Sequence, residues 1–203
     1  MFITFEGGDG SGKSTQIAKL KDALQVKGFD VVLTREPGGT PISEKIRQVI
    51  LDKDNQGMTP VTEALLYAAA RAQLVRQVII PALEEGRIVI CDRFLDSSIA
   101  YQGFGRQLGD AVDNINQYAI AGCMPDLTIF LKLDPASGRE RIGSREKDRI
   151  EMESDAFHQR VAEGYRWLEE NYPERILAVD ASQSIEEIAA KIEAAVMERI
   201  HAL

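Results

Sequence analysis

The stretch Glu6-Gly-Gly-Asp-Gly-Ser-Gly-Lys-Ser-Thr15 follows an apolar run, Phe2–Phe5, and precedes a segment with helical periodicity. It contains the pattern G-x-x-x-x-G-K-[ST], which joins a strand to a helix in phosphate-binding loops. The glycines let backbone N–H groups point inward, and the N-terminus of the following helix adds further donors. In this pattern Lys13 reaches the β- and γ-phosphates and the Ser14 hydroxyl binds Mg²⁺. The sequence therefore predicts a phosphate-binding loop.

The alternation of strand and helix continues along the chain. Further apolar runs lie at Asp30–Thr34, Arg87–Asp92, Leu127–Leu133 and Ile176–Asp180, with helical segments between them. This order predicts an α/β fold with a parallel sheet, and runs that are apolar on both faces predict buried strands covered by helices on both sides. With 203 residues, 44% of them apolar, we expect one domain, residues 1–203.

Several signals predict helix boundaries. Gly28 is placed to end the helix that follows the phosphate loop, and Ser184 and Glu187 form a capping box at the start of the last helix. The segment Thr59–Glu85 is apolar nearly all round its middle part. This predicts a helix buried inside the domain or against a second copy of the chain. Pro81 is expected to kink or interrupt it.

Composition excludes some classes of protein. The formal net charge is −8, which argues against a nucleic-acid partner, because that would need a basic face. The two cysteines, Cys91 and Cys123, form no C-x-x-C pair, so a reducing cytoplasm is expected. No run approaches the length of a membrane span, and the first strand begins too close to Met1 for a signal peptide, so no membrane partner is expected.

Two arginines and an aspartate lie at the ends of predicted strands. Arg35 follows the second strand, and Asp92 and Arg93 follow the third. Ligands of an open parallel sheet lie at the carboxyl ends of its strands, so both arginines are expected beside the phosphate loop. Asp92 has the position of a Walker-B carboxylate that holds magnesium. The alternative is that all three are merely solvated.

The segment Asp96–Gln102 is predicted to form a short helical piece. At i,i+4 spacing Ser98 shares a face with Gln102, and Ser97 shares a face with Tyr101. Two polar faces beside a phosphate site are suited to contacting a base and a sugar.

Four arginines crowd a stretch that begins after Asp134-Pro135. They are Arg139, Arg141, Arg145 and Arg149. An arginine-rich segment in a phosphate-binding protein is typical of a lid that excludes water and adds positive charge, here expected at about residues 139–152. A charged surface loop is the alternative.

The order of these motifs resembles one known family. With the phosphate loop, Thr34-Arg-Glu-Pro-Gly-Gly39, Asp92-Arg-Phe94, Ala100-Tyr-Gln-Gly103 and the arginine-rich segment, the chain resembles bacterial thymidylate kinases nearly end to end. The resemblance implies a P-loop nucleoside monophosphate kinase fold, with a five-stranded parallel sheet flanked by helices on both faces and a lid segment. It also implies transfer of the γ-phosphoryl group of MgATP to dTMP, usually by a homodimer.

The motifs and the resemblance together assign roles to residues. Those expected to bind ATP are Gly7, Gly8, Asp9, Gly10, Ser11, Gly12, Lys13, Ser14, Thr15, Arg141 and Ala181. Those expected to bind dTMP are Asp9, Glu36, Pro37, Arg47, Tyr67, Arg71, Arg93, Ser97, Ser98, Tyr101 and Gln102. Those expected in catalysis are Lys13, Arg35, Arg93, Arg145 and Arg149. Those expected to hold Mg²⁺ are Ser14 and Asp92.

The resemblance gives some of these residues particular tasks. It implies that Asp9 contacts the sugar hydroxyl of the acceptor and that Arg35 and Arg93 hold its phosphate. Tyr67 matches the position of an aromatic residue, often Phe, that stacks on thymine. Tyr101 matches the residue that crowds the 2′ position of the sugar and disfavours ribonucleotides.

Three further expectations concern geometry. A lid arginine, Arg145 first and Arg149 next, is expected to contact the transferring phosphoryl group, because the phosphate loop has no arginine. The Glu36–Pro37 bond is expected to be cis, since the chain turns sharply there. Arg71 lies four residues after Tyr67 in an apolar stretch, so it is expected to meet either a base carbonyl or a buried carboxylate.

The expected chemistry needs no general base, because a phosphate monoester has its second pKa at about 6 and is ionised at neutral pH. The alternatives are another P-loop nucleotide or nucleoside kinase, a GTPase switch and a non-catalytic nucleotide-binding subunit. The chain has no Asn-Lys-x-Asp guanine signature. A non-catalytic subunit would have no use for Arg35, Arg93 and Tyr67 together with a lid.

Overall fold

The computed structural model describes residues 1–134, 137–138, 141 and 148–202 of the chain. Its strands are β1 (Phe2–Glu6), β2 (Val31–Arg35), β3 (Ile88–Asp92), β4 (Leu127–Lys132) and β5 (Ile176–Asp180). They form one sheet in the order β2-β3-β1-β4-β5, and every pairing is parallel. The predicted five-stranded parallel sheet is therefore confirmed.

Helices cover both faces of this sheet. They are α1 (Lys13–Val26), α2 (Pro41–Leu51), α3 (Pro60–Leu74), α4 (Ile80–Glu84), α5 (Leu95–Ser98), α6 (Ala111–Ile120), α7 (Asp155–Asn171) and α8 (Ile185–Ala202). A 3₁₀ turn spans Lys53–Asn55, and π-helical turns span Val75–Ile79 and Ile99–Gly105. Within the part of the chain that the structure describes, no helix has the length and apolar character needed to cross a membrane.

The central strand β1 contributes to a separate apolar core on each face. Ile3 and Phe5 pack with Leu24 of α1 and Ile192 of α8. Phe2 points to the opposite face, where it packs with the end of α3 and the π-helical turn that follows. Because side chains alternate along a strand, the remaining even-numbered positions of β1 also face this second side.

The strand β2 is less buried than the sequence suggests. It lies at an edge of the sheet and pairs only with β3. Its Leu33 side chain remains 42% exposed. The expectation of a buried strand at residues 30–34 is therefore wrong, because an edge strand has a neighbour on one side only.

The predicted helix ends are confirmed. At the end of α1, Gly28 has φ +88°, and the N–H of Phe29 donates to the carbonyl oxygen of Leu24 at 3.1 Å, which is a Schellman motif. At the start of α8, the Ser184 N–H donates to Glu187 Oε2 at 3.0 Å, and the Glu187 N–H donates to Ser184 Oγ at 3.3 Å. The two ends of the capping box therefore bind each other.

The long helical segment is interrupted before Pro81, as predicted. Pro81 has no N–H to donate to the carbonyl of Gln77, so the α-helical ladder cannot continue through it. The turn before it is π-helical, and the N–H of Ile80 donates to the carbonyl of Val75.

Candidate active site

The phosphate loop lies between β1 and α1, as predicted. Gly7 has φ +137°, and a Cβ there would come within 2.6 Å of the Leu131 carbonyl oxygen of β4, so only glycine fits. Lys13 Nζ donates to the carbonyl oxygens of Gly7 and Gly8 at 2.9 and 3.1 Å. The ammonium group therefore lies over its own loop, where a phosphate-binding lysine is needed.

Two clefts adjoin at the carboxyl edge of the sheet. The first is a cavity of about 420 Å³, lined by Asp9, Gly10, Ser11, Gly12, Lys13, Ser14, Thr15, Arg35, Glu36, Arg47, Asp92, Arg93 and Arg141. The second, of about 190 Å³, includes among its lining residues Asp9, Glu36, Pro37, Arg47, Tyr67, Arg93, Ser97, Ser98, Tyr101 and Gln102. Most of the predicted residues therefore come together at the edge that a parallel sheet uses for ligands.

Arg93 lies where the two clefts meet. Its backbone has φ +68°, a conformation that costs roughly 1 to 3 kcal/mol for a residue other than glycine. Its guanidinium donates to Asp9 Oδ1 at 3.0 Å and to the hydroxyls of Ser97 and Tyr165 at 3.2 Å. It also lies over the ring of Tyr101, 5.3 Å from the ring centroid. The turn after β3 therefore places the Arg93 guanidinium, held by these contacts, at the junction of the two clefts.

A buried carboxylate holds this turn in place. Glu6, the last residue of β1, accepts hydrogen bonds from the N–H groups of Phe94 at 2.8 Å and Ser97 at 3.3 Å. It also accepts from the hydroxyls of Ser97 at 2.6 Å and Tyr165 at 2.8 Å. Burial, and after it the charge of Asp96, raises the pKa of Glu6. Neither Glu6 nor Tyr165 is among the predicted site residues. Glu6 could have been identified as a carboxylate at the end of an apolar strand, whereas no sequence pattern identifies Tyr165.

Oxygen atoms suited to Mg²⁺ face the phosphate loop. Ser14 and Asp92 both line the first cleft. Asp92 Oδ1 is buried and has no hydrogen-bond partner among the described residues. Such an oxygen is unfavourable unless a donor or a cation meets it, and Mg²⁺ takes oxygen ligands, most of them from phosphates and water. The residues therefore fit Mg²⁺, although residues 1–134, 137–138, 141 and 148–202 contain no cluster of three acidic, His or Cys side chains.

The second cleft ends in side chains expected at a base. Tyr67 is half-buried there, and Ser98 and Gln102 are buried. Burial raises the pKa of Tyr101 to about 12, so its hydroxyl stays neutral at physiological pH. Gln102 Nε2 donates to Glu63 Oε1 at 2.9 Å.

Arg71 lies behind the wall of this cleft and is 1% exposed. Its Nε and Nη2 donate to Glu36 Oε2 at 2.8 and 2.6 Å. The remaining N–H groups donate to Ser98 Oγ, to Asn116 Oδ1 and to the carbonyl oxygen of Phe94. All five N–H groups therefore have protein acceptors. Of the two expected partners, the buried carboxylate is present, and a base carbonyl would have to replace one of these acceptors.

The Glu36–Pro37 peptide bond is cis, as predicted. The carbonyl oxygen of Pro37 accepts a hydrogen bond from Arg47 Nη1 at 2.9 Å. Burial, only partly offset by Arg71, raises the pKa of Glu36 to about 7. Its Oε1 atom is buried and, in the described part of the chain, has no hydrogen-bond partner. Glu36 lines both clefts, so this oxygen is a candidate acceptor for a bound ligand.

Arg35 lines the first cleft only. Its Nη2 donates to both carboxylate oxygens of Glu44 at 3.0 Å. The expected contact between Arg35 and the acceptor phosphate would require this guanidinium to leave Glu44, and it stays a prediction.

The predicted lid is described only in part, and Arg139 and Arg145 lie outside the described residues. Arg141 Nη1 and Nη2 donate to the carbonyl oxygen of Ala181 at 3.2 Å. This contact joins two of the residues expected to bind ATP.

Arg149 has a different environment from the one expected. It is buried, its Nη2 donates to Glu63 Oε2 at 2.7 Å, and its Nε donates to the carbonyl oxygen of Ile50 at 2.7 Å. It is not among the lining residues of either cleft. The expectation that Arg149 contacts the transferring phosphoryl group is not met in this structure, because Glu63 already neutralises its charge.

Several known proteins similar to this chain are thymidylate kinases. A family model described as thymidylate kinase matches residues 5–192. The thymidylate kinase of Geobacillus sp. (strain WCH70) is 53% identical, over 98% of this chain and 97% of that protein. That of Halalkalibacterium halodurans is 50% identical, over 93% of this chain and 92% of that protein. The crystal structure of thymidylate kinase from Ehrlichia chaffeensis has a TM-score of 0.79 and 33% identity, over 97% of this chain and 98% of that one.

The contacts of Arg71 predict a stability effect. Arg71→Gln removes the cation from the buried Glu36, which must then bear an uncompensated charge or take up a proton, so the free energy of unfolding should fall by about 3 to 5 kcal/mol. In a chain of this length that corresponds to roughly 6 to 20 °C in Tm, measured by thermal melting. Arg76→Gln, an exposed arginine one turn further on, should cost about 1 kcal/mol or less. An unchanged Tm with a selective loss of dTMP affinity would instead assign Arg71 to the base.

The environment of Lys13 predicts a pH dependence. Burial, followed by the charge of Arg93, lowers the pKa of Lys13 to about 8. Lys13 is charged below this pKa and neutral above it, so ATP affinity, measured by calorimetry, should fall as the pH rises through about 8. Lys13→Arg, whose charge does not titrate, should bind ATP without this decline. A constant wild-type affinity well above that pKa would contradict the prediction.

Proposed function

The chain belongs to the thymidylate kinase family, and from that premise we propose how its residues transfer a phosphoryl group from ATP to dTMP. The observation that supports the proposal is the junction of the two clefts at Arg93, between the phosphate loop and the aromatic side chains. ATP occupies the first cleft and dTMP the second. The γ-phosphoryl group then meets the acceptor phosphate at the junction, and the products are ADP and dTDP.

At the donor end, the phosphate loop and Lys13 bind the β- and γ-phosphates. Lys13 exchanges the carbonyl oxygens of its own loop for phosphate oxygens. Ser14 and Asp92 hold Mg²⁺, which when bound neutralises charge on the β- and γ-phosphates. The Oδ1 atom of Asp92, which lacks a hydrogen-bond partner among the described residues, supports this role.

At the acceptor end, Arg93 binds the phosphate of dTMP and Asp9 contacts the sugar. Tyr67 stacks on thymine, and Tyr101 crowds the 2′ position of the sugar. The attacking phosphate oxygen is already ionised at neutral pH, so no residue has to remove a proton from it. Catalysis then consists of positioning and of stabilising charge during an in-line transfer.

Arginines of the lid supply further positive charge to the site. Arg141 lies beside ATP, as its hydrogen bond to Ala181 supports. Because Arg149 is bound to Glu63, Arg145 is the remaining candidate for the cation that contacts the transferring phosphoryl group.

We also infer that two copies of the chain associate through α2 and α3. These helices pack together, and their outer faces carry exposed apolar side chains, which are Ile42, Val49, Val61 and Leu65. Exposed apolar side chains on two adjacent helices are typical of an interface, and in this family a second copy is the expected partner.

We infer further that residues 1–203 form one domain that works in the cytoplasm. The single sheet joins strands from both halves of the chain, which supports one domain. Cys91 and Cys123 are both free thiols, which suits a reducing compartment.

A panel of acceptors tests the proposed function. The purified protein is incubated with ATP, Mg²⁺ and each nucleoside or nucleoside monophosphate in turn, and ADP release is measured. We expect the highest kcat/KM with dTMP, because the site combines an arginine for phosphate with an aromatic cleft for the base. Lys13→Met serves as the inactive control. A higher kcat/KM with an unphosphorylated nucleoside or another monophosphate would favour the alternative kinase.

A charge in the apolar patch tests the dimer. Leu65→Glu places an unpaired carboxylate in the proposed interface, so the dissociation constant should rise by about 100-fold or more. Sedimentation velocity measures the oligomeric state. Val26→Glu, at an exposed apolar position on α1, is the matched control and should leave it unchanged. A wild-type protein that is monomeric at micromolar concentration would contradict the proposal.

A further inference from the structure

Glu63 of α3 is a fully buried carboxylate that the proposed mechanism does not use. Its Oε1 accepts from Gln102 Nε2 at 2.9 Å and from Arg106 Nε at 3.1 Å. Its Oε2 accepts from Arg106 Nη2 at 2.8 Å and from Arg149 Nη2 at 2.7 Å. Two arginines thus fix the carboxylate, and its third partner, Gln102, lines the second cleft.

This carboxylate acts only as an acceptor. Burial alone would raise the pKa of Glu63, but hydrogen bonds from Arg106 and then Gln102 outweigh it, and the pKa is lowered. An ionised carboxylate has no hydrogen to donate, so the amide nitrogen of Gln102 must face it. A flipped amide would set Gln102 Oε1 against a carboxylate oxygen, with two acceptors in contact and no hydrogen between them. Gln102 therefore has one amide orientation.

The fixed amide leaves a defined pair of groups for a ligand. One N–H of Gln102 is used by Glu63. Its carbonyl oxygen and second N–H have no further hydrogen bond within the described part of the chain, so they remain for the cleft that this residue lines. Thymine offers a complementary pair, the N3–H donor and the O4 acceptor. Cytosine offers the reverse, an N3 acceptor and an N4 amino donor. The same amide would therefore meet cytosine with acceptor against acceptor and donor against donor.

We propose that Glu63 is a specificity-determining positioning residue, which fixes the amide of Gln102 so that the site accepts thymine and rejects a 4-amino pyrimidine. The inference rests on the proposed function, which places dTMP in the second cleft, and on a contact between the base and Gln102, which lines that cleft. A 4-amino pyrimidine would leave the amide of Gln102 and its own polar groups unpaired in a desolvated cleft. Such unpaired groups discriminate between ligands more strongly than a small difference in size does.

A matched pair of ligands tests this role. dTMP and 5-methyl-dCMP differ only in the 4-substituent and in whether N3 carries a proton. The Kd of each is measured by calorimetry for the wild type and for Glu63→Gln, whose amide can donate to Gln102 Oε1 and so permits the flipped orientation. The ratio of the Kd for 5-methyl-dCMP to the Kd for dTMP should fall by about tenfold or more in the variant.

Arg106→Met is the matched control. It removes one arginine from Glu63 but keeps the carboxylate beside Gln102. It should lower the Tm while the ratio of the two Kd values stays at the wild-type value. If Glu63→Gln alone does not fold, the double variant Glu63→Gln with Arg106→Met removes one charge of each sign, and the same tenfold fall in the ratio is expected.

Gln102→Leu separates the two ways in which the inference can fail. If Gln102→Leu lowers the ratio but Glu63→Gln keeps it within about twofold of the wild type, Gln102 contacts the base without help from Glu63, and the inference is overturned while the proposed function stands. If Gln102→Leu leaves dTMP affinity unchanged, the proposed base contact is itself wrong, and the inference is overturned with it.

Discussion

The hydrogen bonds of the Glu6 carboxylate connect the central strand to the turn after β3 that carries Arg93. β1 points Ile3 and Phe5 into one apolar core, and Glu6 points to the other face. A carboxylate there must be surrounded by donors, and the turn after β3 and a tyrosine of α7 supply them at 2.6 to 3.3 Å. These bonds hold the chain in the turn where Arg93 adopts its left-handed conformation. The cation at the cleft junction is therefore placed by the same strand that begins the phosphate loop.

Ion pairs of buried carboxylates fix the walls of the second cleft in a similar way. Arg71 with Glu36, Arg149 with Glu63 and Arg175 with Asp96 all join elements that are distant in sequence. Such pairs add little net stability compared with apolar side chains, but removing one partner costs about 3 to 5 kcal/mol. They therefore act as positional constraints. Glu36 itself lines both clefts, and Glu63 binds Gln102 of the second cleft. Asp96 directly precedes Ser97, which lines the second cleft.

The sequence predicts the parts of the fold and site that depend on local chemistry. The phosphate loop, the Gly28 helix end and the Ser184 capping box each need particular residue types at fixed spacing, so a pattern identifies them. Arg149 shows the limit of this reasoning. Its neighbours in sequence are typical of a lid, and only the tertiary structure brings it to Glu63, 86 residues earlier in the chain. Polar residues that pair across a large separation in sequence produce no periodic pattern from which the pair could be predicted.

Exposure distinguishes the arginines that can bind phosphate from those that hold the fold. In the pair of Arg93 and Asp9 the side chains are 18% and 37% exposed, and in that of Arg35 and Glu44 they are 46% and 39% exposed. In the pair of Arg71 and Glu36 they are 1% and 3% exposed. When a partly exposed carboxylate loses its arginine, water hydrates the carboxylate. A phosphate can therefore replace that carboxylate as the partner of the arginine at little cost. A buried carboxylate has no such alternative, and its arginine must stay. These partly exposed pairs thus hold their guanidinium groups near the proposed phosphate sites in advance, which reduces the reorganisation needed when a nucleotide binds.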